Sequence, residues 1–162
     1  MNRTVTRLSG WLLGCCLLVG CAIPLANYDQ RAYENATSLK PLALAMIDRS
    51  MQRGSWLQYN RALEDLLVQL AAAYEYANGI EYNNEAAANW KDLIGDEERM
   101  MLGWATLWSN CGDDTECRVS PALATEYKIQ ATEAFDIIIC LEANKRQLSR
   151  CEALTRPTGA GG

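Results

Sequence analysis

Histidine is missing from all 162 residues, and that gap removes several chemistries at once. A di-metal carboxylate bundle builds its site from Glu-x-x-His motifs on facing helices. Here Glu133, Asp136, Glu97, Glu98, Glu64 and Asp65 supply carboxylates, and nothing supplies imidazole. A Ser-His-Asp triad is excluded for the same reason. Without a ligand pattern, these acids read as solvated groups on helix faces, and neither a metal nor a cofactor is expected. Phenylalanine occurs once and valine is sparse, while Ala, Leu, Glu and Tyr are abundant, a balance that favours helix over sheet. There is no phosphate loop or dinucleotide fingerprint. Gly112-Asp113-Asp114 is acidic but too short for an EF-hand loop. Neither an internal repeat nor a second domain is evident.

The most apolar stretch follows Arg3 and Arg7 and extends from Leu8 through Val19. Basic flank, apolar core and a small residue before the cut describe a secretory signal. As a transmembrane anchor the run to Leu25 is barely long enough, because a spanning helix needs about 20 apolar residues. Gly10, Gly14, Gly20 and Pro24 also interrupt it. Leu18-Val19-Gly20-Cys21 resembles a bacterial lipobox, which implies cleavage before Cys21 and lipidation of its thiol. Leu12-Leu13-Gly14-Cys15 fits the same pattern. Cleavage there would leave an apolar region of only about 7 residues, at the short edge of the usual range. Two or three acyl chains hold a protein firmly where one gives reversible attachment. Ala22 lacks the aspartate that lipoprotein sorting reads as inner-membrane retention, so the resemblance implies the outer membrane, facing the periplasm. The resulting domain scheme is a signal peptide over 1–20, a lipidated tether over 21–26, a helical domain over 27–150 and a flexible tail over 151–162.

Beyond the signal, 13 of the 15 Lys+Arg remain (Arg3 and Arg7 are removed) against 20 Asp+Glu, a net charge of −7. That sign argues against nucleic acid and against a polybasic attachment to anionic lipid. With Cys21 acylated, Cys111, Cys117, Cys140 and Cys151 are left in an oxidising compartment, an even number with three possible pairings. Cys111 and Cys117 flank a turn-rich polar loop and are expected to pair. Cys140 and Cys151 would stand about 16 Å apart along an unbroken helix, whereas a disulfide needs Cα atoms roughly 4.4–6.8 Å apart. Their pairing therefore requires the last helix to end near Asn144 and the chain to fold back. Otherwise Cys140 is a small buried hydrophobe.

The periodicity predicts an all-α, up-and-down bundle of four to five helices. Asn27 with Gln30 forms a capping box, and Tyr28, Ala32, Ala36, Leu39, Ala43 and Met46 make a helical stripe. Pro41 kinks this helix or breaks it; the unbroken period favours the kink. Gly54 offers a left-handed turn, and Ser55 with Gln58 a second capping box. The following stripe runs from Trp56 through Leu63, Leu66, Leu70 and Tyr74 to Ala77 and stops at Asn78-Gly79. Asn84-Glu85 opens a third segment bearing Trp90, Leu93, Met101, Trp104 and Trp108. Gly95-Asp96 divides it, either into two helices with Asp96 as the new N-cap or as one bent helix. Ser120-Pro121 is a favoured helix start. The last helix runs to about Arg146, with Ala134 to Leu141 apolar nearly all round and hence enclosed.

Candidate sites are few. Two carboxylates can hydrolyse glycosides without histidine; Glu142 and Asp136 lie beside apolar residues, but no motif pairs them. Asp136 is equally explained by pairing with a base such as Lys145 or Arg99, or by solvent. Trp90, Trp104, Trp108, Tyr74, Tyr76 and Tyr82 could form an aromatic binding surface. Helical spacing favours core for most, with Trp108 and Tyr82 expected to reach the surface and serve a partner. Tyr28-Asp29-x-x-x-Tyr33, Thr37-Ser38-Leu39-Lys40, Tyr74-Glu75-Tyr76, Phe135-Asp136-Ile137-Ile138 and Leu141-Glu142 are similar to segments of an uncharacterised family of small helical envelope lipoproteins. That resemblance implies a helical fold and nothing catalytic. The expected function is a non-enzymatic binding or scaffolding module, anchored by lipid and serving an envelope protein partner, as in a secretion, conjugation or exclusion system. The alternatives are a cell-wall-active carboxylate enzyme and a binder of peptidoglycan or lipid.

Overall fold

The computed structural model describes residues 26–151 and Leu154. The signal peptide expected over 1–20, Cys21 and most of the tail expected over 151–162 lie outside the described residues. Five α-helices follow in chain order: α1 Gln30–Ser50, α2 Ser55–Asn78, α3 Asn84–Ile94, α4 Met100–Ser109 and α5 Pro121–Ala143, then a 3₁₀ turn Leu148–Cys151. They make four rods, because α3 and α4 run end to end as one interrupted rod. Each rod packs against its sequence neighbour, and α5 closes the ring against α1. This is the expected up-and-down bundle. No helix among the described residues is long and apolar enough to cross a membrane.

The stripe on α1 sinks as its period predicts: Ala32, Ala36, Leu39, Ala43, Met46 and Ile47 are buried. Its start differs by two residues, since Asp29 takes the cap and accepts from the Ala32 amide at 2.8 Å. Asn27 is occupied elsewhere, accepting from Arg146 at 3.2 Å. Pro41 does not break the helix; it lies on the exposed side, where solvent can satisfy the carbonyl it leaves without a partner. Gly54 adopts φ +65° and its amide donates to the Cys117 carbonyl at 3.1 Å. A Cβ at this position would come 2.9 Å from the Thr115 carbonyl oxygen. The second capping box does not form, because Ser55 is already helical and Gly54 stands at the cap.

Gly95, at φ +71°, ends α3. The division is into two helices, and Asp96 is not the new cap. The chain makes a tight turn over 96–99, with an isolated bridge between Asp96 and Arg99, and α4 starts at Met100. The Asp96 carboxylate accepts instead from the Glu98 amide at 3.1 Å.

Ser120 caps α5 through the Leu123 amide, with Pro121 in its first turn. The helix ends at Ala143, three residues short of the expected limit, where the Asn144 amide donates back to the Cys140 carbonyl at 2.9 Å. That early stop lets the chain double back. Cys140 and Cys151 are bonded, with Cα atoms 5.8 Å apart. Cys111 and Cys117 are bonded as well, at 5.4 Å. Phe135, Ile138 and Leu141 on α5 are buried, and Trp90 meets Phe135 edge-on at 5.9 Å. Ala134, Ile137, Ile139 and Cys140 are only partly buried, because α5 is one member of the ring and is not enclosed by the others as its apolar run suggested.

Candidate functional site

Interrupting the third rod opens a concavity on the side of the bundle. The turn over 96–99 leaves the rod axis, and the gap between the end of α3, the start of α4 and the first half of α5 becomes a cleft of about 810 Å³. Its apolar surface comes from Met100, Leu123 and Tyr127, each partly buried. Asp92, Asp96, Glu98 and Glu126 carry negative charge around it, against Lys91 and Arg99. Arg99 is already committed: its guanidinium pairs with Asp96 at 2.6 Å. That hydrogen bond, with help from the Glu98 amide, holds the Asp96 carboxyl below the usual carboxylate range. The cleft is therefore acidic at its margin and apolar within.

Two backbone features shape the turn that borders the cleft. Met100 sits at φ +56°, a conformation that costs a non-glycine residue about 1–3 kcal/mol. Gly103 lies so close to the turn that a Cβ would come 2.5 Å from the Glu98 carbonyl carbon. The glycine thus lets the turn fold back on α4.

The end of the bundle nearest Ala26 carries a second cluster. Glu142 and Lys145 are buried, at 0% and 5% exposure, and pair at 2.7 Å. Asn83, from the loop between α2 and α3, donates to Glu142 Oε1 at 3.3 Å and to the Ala77 carbonyl at 3.0 Å. It also accepts a short hydrogen bond from Lys145. Close by, the Tyr76 phenol donates to Asp29 at 3.0 Å, beneath the Arg31 guanidinium 4.5 Å above its ring. The hydrogen bond to Asp29 raises the phenol above its ordinary range, with lesser contributions from burial and from the Asp29 charge.

The residues singled out from the sequence divide between the two ends. Tyr82 is 52% exposed, as expected. Trp108, expected at the surface, is completely buried. It packs edge-on against Trp56 at 5.8 Å and at a tilt of 34° against Trp104 at 5.4 Å. The loop closed by Cys111–Cys117 folds over the α1–α2 corner and seals that end: the Val119 amide donates to the Ser50 carbonyl at 2.9 Å, and Trp104 Nε1 to Ser50 Oγ at 3.1 Å. Trp108 and Tyr82 consequently do not form one surface. Asp136 pairs with Lys40 at 2.5 Å, rather than with Lys145 or Arg99. Cys21 lies outside the described residues. No group of carboxylates and thiols is placed to hold a metal among the described residues.

Sequence reasoning located the break at Gly95-Asp96 but not the cleft, because a turn that leaves a rod axis has no periodic signature. It also passed over Tyr28, which reads as the first member of the α1 stripe yet is 56% exposed. The chain matches no protein-family model, and comparisons with curated proteins and with solved structures find no similar protein.

Proposed function

We propose that the protein is an envelope lipoprotein, acylated at Cys21 and held at the outer membrane, that works as a non-enzymatic binding module. The observation that carries this reading is the cleft at the interrupted rod. It has the size of a recognition site, and its apolar surface inside an acidic margin suits a basic amphipathic segment of an envelope protein. The strained backbone at Met100 fits the same view, since strain of this kind concentrates at functional positions.

The two carboxylates considered for hydrolysis favour binding over catalysis. Glu142 is closed off by Lys145 and Asn83, and Asp136 is tied to Lys40. A substrate would have to displace those partners first.

Photo-cross-linking in intact cells tests the proposal. A cross-linker replacing Leu123 or Tyr127 is expected to give one discrete adduct with an envelope protein. The same group at Val68, which is 68% exposed, should give none. Equal labelling at all three positions would remove the cleft as the partner site.

A further inference from the structure

We propose that the end of the bundle carrying Tyr28 and Tyr82 is a lipid-docking face that lies against the headgroups of an anionic bilayer. This rests on the reading that Cys21 is acylated, and it adds an interaction surface separate from the cleft.

Position comes first. Ala26 is buried at this end of the bundle, and only residues 22–25 separate it from Cys21. Five peptide steps reach at most about 18 Å. A chain acylated at Cys21 must therefore hold this end within that distance of the lipid.

The chemistry of the surface agrees. Tyr28 and Tyr82 face a shared depression of about 320 Å³ that also includes Ile80. On its other side Tyr28 borders a second depression, of about 500 Å³, with Arg146 and Arg150. One continuous surface thus runs from Tyr82 through Tyr28 to two exposed arginines. Glu81 and Asp29 are the acids on the Tyr82 side, whereas among the described residues no acid lines the depression that holds the arginines; Lys145 there is paired with Glu142. On a mature chain of net charge −7, the arginine half of this surface is locally basic. Tyrosine with arginine is the side-chain pair suited to the headgroup layer, where one part of the group is apolar and the other wet.

The surface is also built to hold its shape. Tyr82 adopts φ +62°, which turns it outward from the α2–α3 loop. The next residue, Asn83, is fixed by the buried Glu142–Lys145 pair. Beneath the arginines, the Cys140–Cys151 bond ties the 3₁₀ turn to α5. A face whose tyrosines and arginines are already placed loses little freedom on docking.

Hydrogen–deuterium exchange on the acylated full chain in nanodiscs tests this. Each arginine at an anionic surface contributes about 1 kcal/mol, so the pair is expected to favour docking by about 30-fold. Exchange over 79–83 and 144–150 should therefore slow by that order in discs containing phosphatidylglycerol, relative to discs of phosphatidylcholine. The middle of α2 should be unaffected. Arg146→Glu with Arg150→Glu is expected to abolish the difference, and Tyr28→Ser with Tyr82→Ser to reduce it, with far-UV circular dichroism unchanged in both. Equal exchange in the two lipids overturns the proposal. So does slowing that follows the number of protein copies per disc, which would assign the face to a second copy. Intact mass of the same material reports the acyl group independently. An unmodified Cys21 would refute the anchor, and exchange of that protein with added phosphatidylglycerol vesicles would still decide the docking face.

Discussion

Replacing Lys145 with Met should strand a charge at the most enclosed polar point of the bundle. Glu142 is wholly buried and Lys145 nearly so; their 2.7 Å contact and the Asn83 amide compensate the carboxylate. Removing one partner of a buried pair costs about 3–5 kcal/mol, because the remaining ion has no solvent. A domain of this kind has only about 5–15 kcal/mol in total. The double variant Glu142→Leu with Lys145→Met leaves no ion behind and should return to within about 2 kcal/mol of the wild type. Lys128→Met provides the contrast. Its partner Asp48 is at the same 2.7 Å, yet the two side chains are 39% and 45% exposed, so the loss should be under about 1 kcal/mol. The assay is urea unfolding followed by far-UV circular dichroism on the chain from Ala22 onward, exported so that both disulfides form. Linear extrapolation gives each free energy. If Lys145→Met is as mild as Lys128→Met, or the double variant is worse than the single, the buried-pair reasoning is wrong.

Gly95→Ala must accommodate a Cβ 2.4 Å from the Arg99 carbonyl oxygen at φ +71°; the strained conformation alone should cost about 1–3 kcal/mol, read from the urea midpoint, and any shift of the turn should weaken the adduct at Tyr127. Chain-entropy estimates give about 2 kcal/mol for losing Cys111–Cys117 and about 3 kcal/mol for losing Cys140–Cys151, to be checked by paired Cys→Ala variants and non-reducing peptide maps. The raised Tyr76 phenol contributes stability that is complete below about pH 10, the unfolded value, and is lost as the pH climbs through the higher folded value; Tyr76→Phe should flatten that alkaline limb in pH-dependent unfolding. The lowered Asp96 carboxyl has the opposite sign, contributing above about pH 4 and fading as the pH falls further. Asp96→Asn should therefore remove part of the acid limb, and an unchanged limb would count against the Asp96–Arg99 contact.

Much of this architecture is written locally. The Ser120-Pro121 start, the stop at Asn78-Gly79 and the division at Gly95 each depend on backbone preferences within a few residues, so they are legible in the chain. The stripe on α1 is legible for the same reason, because burial repeats with the helix period. The Cys140–Cys151 bridge stayed open in the chain, because it turned on whether α5 ends near Asn144 or runs on to Arg146, and the structure ends it at Ala143. What the sequence could not determine is how distant segments meet. Trp108 is buried because a loop three residues further on folds over a corner made fifty residues earlier. Asp136 chose Lys40 over two other bases because α1 and α5 are neighbours in the ring. The cleft and the docking face arise the same way, from where rods end in space. Periodicity tells each helix which side to bury, but contacts between far segments depend on how rods are arranged around the core, and only the tertiary structure decided that.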